Sequence, residues 1–462
     1  RDRLQRNVEF VELDVATGKS KVLLSDTKGD FGSLELQSPI YVKSGGDFLW
    51  FSERDGWGHY YLYSYDGTLK RQLTSGEWRA DAIVGIDSIR GVAYIRGQGR
   101  EPGENLYNTH LYRVSLADGA ITLMDPGNAS HASTRSENFR WIVDQSSRVD
   151  TVPRVQLRDG ATGKVVLDLE TADLSRLTEA GWKYPETFQT LAADGVTKIF
   201  GNMWKPFDFD STKKYPIIEY VYPGPQTESV TKTFTPRQAN VMLAQFGFIV
   251  IEVGNRGGNP SRSKWYHNYG YGNLRDYGVP DKKAAVEQLA RKYPWIDIAR
   301  VGMWGHSGGG FMTAASMFGY PDFFKVGISE SGNHDNAIYN RWWSEKHDGV
   351  KETVDKDGKV KFEYDIDKNQ DIAKNLKGHL LLITGDIDNN VHPANTYRVI
   401  DALIKANKRF DFILLPGQRH GYAAAGDYAA WRRIDYFTQW LLGVSQDEID
   451  MLELQRERQI KK

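Results

Sequence analysis

The chain of 462 residues carries 59 Lys and Arg against 60 Asp and Glu, so its charge favours neither nucleic acid nor an anionic membrane as a partner. The sequence contains no cysteine, which excludes disulfides, thiol catalysis and thiolate metal sites. No apolar run approaches the ~20 residues that span a bilayer, and the length suggests about two to four domains.

Residues 1–171 repeat a pattern of an alternating strand, a glycine-containing turn and a second strand, which is typical of β-hairpins. The turn glycines are spaced 49, 52 and 44 residues apart, at Gly18, Gly67, Gly119 and Gly163. A period of roughly 40–50 residues indicates the C-terminal blades of a β-propeller, with a β-sandwich as the alternative. Four units form only part of a propeller and the first residue is Arg1, so we expect the chain to be N-terminally incomplete.

A polar linker at 172–187 leads into a different pattern, in which buried strands alternate with helices. After a hairpin at 188–200, we predict strands at 217–222, 248–253, 301–304, 324–329, 379–384 and 410–415, and helices at 236–246, 279–293, 311–317, 396–405 and 428–442. Such alternation favours a doubly wound, mostly parallel sheet covered on both faces. We therefore assign residues 188–445 to an α/β-hydrolase domain and residues 446–462 to a charged tail.

The segment Gly305-His-Ser-Gly-Gly309 fits the pattern Gly-x-Ser-x-Gly between a predicted strand and a predicted helix. A serine at a strand-to-helix turn needs neighbouring glycines because the backbone is strained and the adjacent chain passes close to it. This geometry exposes the Ser307 hydroxyl and points the first helical N–H groups at the group it attacks. The motif also occurs by chance, so the rest of the chain must supply a base, an acid and an oxyanion hole.

Two predicted strands later in the chain run into polar loops. In a doubly wound hydrolase sheet, the acid and the base follow the serine in that order, each in a loop after a strand. The first of these loops contains Asp386 and Asp388, and the second contains His420. We therefore predict Ser307 as nucleophile, Asp388 or Asp386 as the acid, and His420 as the base.

An oxyanion hole needs two hydrogen-bond donors, of which one is the backbone N–H of Gly308. The second should come from the loop that begins at Tyr222, where Pro223 and Pro225 lack backbone N–H groups. The Tyr222 hydroxyl is therefore the better candidate, and a core or pocket-lining tyrosine is the alternative. We expect His306 to be a packing or hydrogen-bonded residue that points away from the serine turn.

We expect neither a metal nor a cofactor, because no clustered His and Glu spacing indicates a metal site. The glycine-rich segment Gly254-Asn-Arg-Gly-Gly258 lacks the Lys and Ser/Thr pair of a phosphate-binding loop, so we interpret it as a tight turn.

Propeller blades followed by six ordered motifs resemble the prolyl oligopeptidase family, in the branch that contains dipeptidyl peptidase IV and the bacterial prolyl tripeptidyl peptidases. The motifs are Tyr215-Pro216, Val221–Pro225, Gly254–Gly257, Trp304–Gly309, Asp386–His392 and Arg419–Gly421. The resemblance covers essentially the whole chain. It implies that Asp388 is the acid, that Tyr222 and Gly308 form the oxyanion hole, and that Asn390 binds a substrate carbonyl.

The resemblance also implies a pocket for the residue on the acyl side of the scissile bond. Its substrate-binding residues would be Asn390, Tyr339, Trp343, Asn333, Asn336 and Val391. The family carries apolar residues where this chain has Asn333 and Asn336, so a pocket for a residue other than proline is plausible. The residues that flank the serine, His306 and Gly308, also depart from the family, which has tryptophan before it and commonly an aromatic residue after it.

These features predict a serine exopeptidase that releases di- or tripeptides from the N-terminus of short peptides. Two alternatives remain open: an acylaminoacyl peptidase, oligopeptidase or esterase on the same fold, and a catalytically inactive propeller-based binding protein. The family's acidic pair that captures a substrate amine would lie upstream of Arg1, so the sequence leaves dipeptidyl, tripeptidyl and internal cleavage unseparated. By resemblance to bacterial members we expect a periplasmic or secreted protein that forms a homodimer through its last helices.

Overall fold

The structure is a computed structural model that describes residues 3–4, 6–27, 37–43, 46–363 and 366–444. The predicted charged tail at 446–462 lies outside the described residues. None of the helices in the described ranges is both long enough and apolar enough to cross a membrane.

The N-terminal part is built of antiparallel sheets arranged one after another along the chain. The first sheet in the described residues pairs β1 (Asn7–Leu13) with β2 (Ser20–Thr27). The second contains β3 (Ile40–Tyr41), β4 (Phe48–Ser52), β5 (His59–Tyr63) and β6 (Leu69–Gln72). The third contains β7 (Arg79–Asp87), β8 (Val92–Gln98), β9 (Thr109–Ser115) and β10 (Ile121–Leu123). The fourth contains β11 (Ser130–Arg135), β12 (Trp141–Ser147), β13 (Arg154–Asp159) and β14 (Val165–Thr171). Up-and-down antiparallel sheets in series are propeller blades, as the hairpin period predicts.

The repeated glycine turns also explain how successive blades pack. Gly67, Gly119 and Gly163 join the last two strands of their blades at φ of 90°, 78° and 74°, where a side chain would be strained. A Cβ at Gly67 would lie 2.1 Å from the carbonyl oxygen of Leu23, in the last strand of the preceding blade. A Cβ at Gly163 would lie 2.6 Å from the carbonyl oxygen of Met124 at the equivalent place. The period therefore reflects a close backbone contact between neighbouring blades.

The second part of the chain forms one eight-stranded sheet in the order β15-β16-β18-β17-β19-β20-β23-β24. The strands of this sheet are β15 (Glu186–Leu191), β16 (Lys198–Trp204), β17 (Tyr215–Tyr220), β18 (Ile249–Val253), β19 (Ile296–His306), β20 (Phe324–Glu330), β23 (His379–Gly385) and β24 (Asp411–Leu415). A separate hairpin pairs β21 (Lys351–Val354) with β22 (Val360–Glu363). The first two strands pair antiparallel, and all pairings from β18 to β24 are parallel. The predicted mostly parallel sheet is confirmed, and its strand order is that of an α/β-hydrolase.

The α-helices of the described residues are α1 (Ser175–Glu179), α2 (Ala239–Ala244), α3 (Lys264–His267), α4 (Val279–Lys292), α5 (Gly308–Gly319), α6 (Arg341–His347), α7 (Asn369–Ile372), α8 (Ala394–Lys405) and α9 (Gly426–Phe437). The prediction of a helix over 236–246 is wrong at both ends. The backbone is still extended at Gln238, and α2 spans only six residues. A positive φ of 96° at Gly247 follows its last turn.

Both faces of the sheet are covered by helices. One apolar cluster joins the sheet to α4, α5 and α8, and a second joins its other face to α2 and α9. The central strands are largely buried, and Ile217, Ile218, Val301 and Met303 are fully inaccessible. Because parallel strands all end at one edge, this buried platform holds the loops after β17, β19, β23 and β24 beside one another.

Candidate active site

Ser307 lies at the turn between β19 and α5. Its φ of 60° and ψ of −120° are unusual for a residue with a side chain, and its N–H donates to the Glu330 carbonyl at 2.8 Å. A Cβ at Gly305 or Gly309 would lie 2.4 or 2.1 Å from the Val221 carbonyl oxygen. The glycines on both sides of Ser307 are therefore required by the passage of the neighbouring chain, as the motif predicts.

Asp388 and His420 form a hydrogen-bonded pair across the loops after β23 and β24. The His420 Nδ1 lies 2.7 Å from Asp388 Oδ2, and Asp388 Oδ1 accepts the backbone N–H groups of Asn390 and Val391 at 3.0 and 2.9 Å. Burial alone would raise the pKa of Asp388, but the bond to His420 and these backbone donors hold it below its ordinary value. Asp388 is thus an ionised acceptor that fixes the His420 tautomer with its free nitrogen, Nε2, directed away.

Asp386, the other acid considered from the sequence, has a different environment. Its side chain is exposed and accepts the backbone N–H of Gly417 at 2.6 Å. Of the two carboxylates, the structure therefore brings only Asp388 to the histidine.

Tyr222 lies beside the serine turn, in the loop after β17. A Cβ at Gly308 would lie 3.7 Å from the Tyr222 hydroxyl, so this hydroxyl faces the start of α5. Burial raises the pKa of Tyr222, and hydrogen-bonding interactions with Ser307 and Gln226 only partly oppose the rise. The phenol therefore keeps its proton at neutral pH and can donate a hydrogen bond.

The loop that carries Tyr222 is held by hydrogen bonds to residues of neighbouring segments. The Pro223 carbonyl accepts the Tyr277 hydroxyl at 2.9 Å and the Asn255 side chain at 3.1 Å. The buried Glu228 carboxylate accepts the Asn255 N–H at 3.2 Å and the Tyr266 hydroxyl at 3.1 Å. A Cβ at Gly254 or Gly258 would lie 2.7 or 2.4 Å from the same carboxylate. The glycine-rich segment 254–258 was interpreted from the sequence as a tight turn. In the structure its glycines also make room for the Glu228 carboxylate.

His306 is a packing residue, as expected, but its ring lies against the loop of the base and does not point away from the site. Its ring centroid lies 4.6 Å from that of His420 and 5.1 Å from that of Tyr422. The strand β19 stays extended through His306 and the chain reverses only at Ser307, so the His306 side chain meets the loop after β24.

Among the described residues, no hydrogen bond joins the Ser307 hydroxyl to His420. Hydrogen bonds between catalytic groups are often long in the absence of substrate, so this geometry is compatible with a nucleophile and its base.

The predicted pocket residues divide into two groups. Tyr339 donates its hydroxyl to Asn390 Oδ1 at 3.2 Å, and its ring meets that of Trp343 edge-on at 5.3 Å. Asn333 donates to Asn336 Oδ1 at 2.6 Å, and both side chains are buried. The Asn336 Nδ2 is left without a hydrogen-bond partner among the described atoms. Val391 is also buried, and its N–H is one of the donors to Asp388.

A second polar cluster, which the sequence did not reveal, lies inside the propeller. His110 contacts Asp125 and Glu104 at 3.2 and 3.0 Å, and its ring lies 4.8 Å from that of His131. His131 in turn contacts Asp144 at 2.8 Å. Oxygen and nitrogen atoms of Asp125, His131 and Asp144 come within 4.8 Å of one another, a spacing that a metal ion could use.

Protons on the two histidines can also balance the charge of this cluster. Arg158 also donates to Asp144 at 2.8 Å, so the three carboxylates of the cluster face Arg158 and the two histidines. Burial alone would lower the pKa of His110, but its bonds to Asp125 and Glu104 raise it to about 9. The negative charges of the three carboxylates are balanced by Arg158 and the two histidines when both imidazole rings are protonated.

This arrangement predicts a pH-dependent stability. His110 titrates near 6.5 in an unfolded chain and at about 9 in the fold. Its contribution is therefore complete below about pH 6.5 and disappears as the pH rises through about 9, with a span on the order of 3 kcal/mol. The urea midpoint should fall between pH 6 and pH 9.5, and His110→Gln should flatten that slope. Replacing the exposed His392 by glutamine should leave the slope unchanged; an equal slope in His110→Gln would contradict the assignment.

The comparisons with known proteins agree with the two-part fold. Residues 234–447 match the family model described as the prolyl oligopeptidase family, and residues 1–153 match the dipeptidyl peptidase IV N-terminal region. A β-propeller followed by an α/β-hydrolase with a serine turn is thus seen in both the sequence and the structure. By these two matches, which lie in succession along the chain, it is similar to the dipeptidyl peptidase IV-like members of the prolyl oligopeptidase family.

Individual relatives are similar at a modest level of identity. Human dipeptidyl peptidase 8 is 26% identical over 361 residues, which cover 75% of this chain and 39% of that protein. Dipeptidyl peptidase 4 of Trichophyton equinum is 27% identical over 430 residues, which cover 89% of this chain and 53% of that protein. The chain therefore spans about two fifths to one half of the length of these curated relatives.

Solved structures resemble nearly the whole chain. A putative dipeptidyl aminopeptidase IV from Bacteroides ovatus superposes with a TM-score of 0.83 at 26% identity, covering 95% of this chain and 64% of that one. Dipeptidyl peptidase 4 of Porphyromonas gingivalis gives a TM-score of 0.83 at 25% identity, covering 95% and 61%.

Proposed function

We propose that this chain is the catalytic part of a serine exopeptidase that releases di- or tripeptides from the N-terminus of short peptides. The observation that carries the proposal is the His420–Asp388 pair, 2.7 Å apart, in the loops beside the strained Ser307 turn. Relatives named dipeptidyl peptidase and dipeptidyl-aminopeptidase support the exopeptidase class. An inactive binding protein would have no need to keep this pair or the strained serine.

In the proposed reaction the Ser307 hydroxyl attacks the scissile carbonyl and passes its proton to His420 Nε2. Asp388 at Nδ1 orients the ring and stabilises the imidazolium. The Gly308 N–H and the Tyr222 hydroxyl stabilise the oxyanion of the tetrahedral intermediate. His420 then protonates the leaving amine, an acyl-enzyme remains, and water activated by the same base releases the short peptide.

Asn390 is proposed to bind a carbonyl of the substrate. The hydroxyl of Tyr339 donates to Asn390 Oδ1, which leaves the Nδ2 group of Asn390 as the donor for an incoming oxygen. Tyr339 and Trp343 would form the aromatic wall of the pocket, with Val391 at its side. Asn333 and Asn336 would give the pocket a polar end, which favours a residue other than proline at this subsite.

The oxyanion assignment predicts the effect of removing a single hydroxyl. Tyr222→Phe should lower kcat by about 10²-fold with little change in KM, because the hydrogen bond is made mainly to the transition state. Tyr220→Phe is the matched control: its hydroxyl lies beside Ser229 rather than Ser307, so kcat should stay within about 3-fold. Equal kcat values for the two variants in a steady-state assay would show that Tyr222 is not part of the oxyanion hole.

The exopeptidase class is tested with paired fluorogenic substrates. Dipeptidyl and tripeptidyl amides with a free amine should be hydrolysed, and the same compounds with an acetylated amine should not. Preference for the acetylated forms would instead assign the chain to the acylaminoacyl peptidases. Cleavage within longer peptides, mapped by mass spectrometry, would assign it to the oligopeptidases.

The remaining proposals concern organisation and location. We divide the chain into propeller blades at 1–171, a linker at 172–187, the hydrolase domain at 188–445 and a tail at 446–462. A homodimer through the last helices is supported by apolar side chains exposed on β24 and on the last helical segment, namely Phe412, Leu414, Tyr428 and Trp440. Sedimentation velocity tests the dimer, and cell fractionation tests the periplasmic or secreted location suggested by the bacterial relatives.

A further inference from the structure

The ring of the histidine next to the serine packs against the ring of the proposed base. The centroids of His306 and His420 are 4.6 Å apart with their planes inclined at 59°. The bond to Asp388 restrains His420 from one side, and His306 packs against the same ring. A shift of the His420 ring would therefore have to displace His306.

His306 is itself held by a buried carboxylate. Its Nδ1 lies 3.6 Å from Glu330 Oε2, while Glu330 Oε1 accepts the Arg433 guanidinium at 2.6 and 3.0 Å. Burial alone would raise the pKa of Glu330, but the charge of Arg433 and the contact with His306 hold it below its ordinary value. Glu330 is thus ionised and fixes the His306 ring through Nδ1.

Charged and titratable groups near His306 come from three parts of the described fold. They are Glu330 at the end of β20, Arg433 on α9, and His420 and Tyr422 in the loop after β24. The Tyr422 hydroxyl donates to the Ile383 carbonyl at 3.1 Å, and burial raises the pKa of this phenol, which stays neutral. Since Arg433 already balances Glu330, a proton on His306 adds net positive charge next to His420.

We propose that His306 is a positioning residue for His420, which fixes the ring of the base by direct contact and, whenever His306 is itself protonated, opposes the protonation of that ring. The inference rests on the proposed function for its kinetic consequences. Its physical basis is general: a like charge within about 5 Å disfavours the charged form of a titrating group, and a base misplaced by about 1 Å can cost 10²-fold in rate.

The kinetic test uses two variants of His306. His306→Ala removes the ring contact, so kcat should fall by about 10-fold to 100-fold with KM within about 3-fold. His306→Phe keeps a ring in contact and should recover most of kcat, while the acid limb of its kcat/KM profile moves about 0.5–1 pH unit higher. His379→Phe is the control, because His379 also stacks on an aromatic ring, Trp440, but at the opposite end of β23.

A second measurement does not depend on activity. With ¹⁵N-labelled histidine, the ring signals of His420, assigned through His420→Gln, report its titration directly by NMR. The midpoint should rise by about 0.5–1 pH unit in His306→Phe and stay in place in His379→Phe. An unchanged midpoint in His306→Phe overturns the inference, as does an unchanged kcat in His306→Ala. Absence of any peptidase activity in the unmodified chain would count against the proposed function alone, and the NMR titration would still decide the role of His306.

Discussion

Ser307→Ala should lower kcat by about 10⁶-fold, which is the loss found when the nucleophile of a serine hydrolase is removed. The residue is held at φ 60° on a turn that the neighbouring chain leaves no room to relax. No other hydroxyl can take its place at the start of α5, because the next three residues are glycines. Initial rates with a dipeptidyl fluorogenic amide would measure the loss, and residual turnover would reflect the oxyanion hole and substrate binding alone.

Ser316→Ala is the matched control for this variant. Ser316 lies on the same helix, α5, and its buried hydroxyl has no hydrogen-bond partner among the described atoms. Its removal should leave kcat within about 2-fold and stability nearly unchanged. A comparable loss in both variants would mean that disturbance of α5, and not the loss of the nucleophile, explains the result.

Asp388→Asn should lower kcat by about 10⁴-fold at neutral pH. The amide would keep the shape of the side chain but cannot hold the His420 tautomer that leaves Nε2 free to accept a proton. Because Asp388 also accepts two backbone N–H groups of its own loop, the amide should be seated with its oxygen toward them and its NH₂ toward the histidine. The variant therefore presents a donor where the base needs an acceptor.

Asp386→Asn separates a catalytic effect from a disturbed loop. Asp386 lies two residues earlier, is exposed, and accepts only the N–H of Gly417 among the described hydrogen bonds. Its replacement should change kcat by less than about 3-fold. A larger loss of kcat in Asp386→Asn than in Asp388→Asn would mean that Asp386, and not Asp388, is the acid.

The parts of this protein that could be predicted from sequence are those in which backbone geometry demands a particular residue. The turn glycines of the blades have positive φ, and a Cβ added at Gly305 or Gly309 would come within 2.4 Å of a carbonyl oxygen. Buried strands followed by polar loops likewise led to His420 and to the loop that holds both Asp386 and Asp388. The length of α2 was missed because its apolar pattern continues beyond the residues that are helical.

Contacts between side chains that are far apart in the sequence were harder to predict from the sequence. The meeting of His306 and His420 depends on how two loops approach each other at the edge of the sheet. The buried Glu228 and the histidine–carboxylate cluster around His110 join segments whose polar residues look like ordinary surface positions. Such contacts depend on the three-dimensional packing of the chain. Hydrophobic periodicity and secondary-structure propensity do not predict them.

The central claim, that Ser307 is an activated nucleophile, is tested most directly by covalent labelling. A fluorophosphonate probe should modify the chain at one residue, and peptide mapping by mass spectrometry should place the adduct on Ser307. Ser307→Ala should show no labelling, while Ser316→Ala should be labelled at the wild-type rate. Labelling that persists in Ser307→Ala, or an adduct mapped to another residue, would contradict the account.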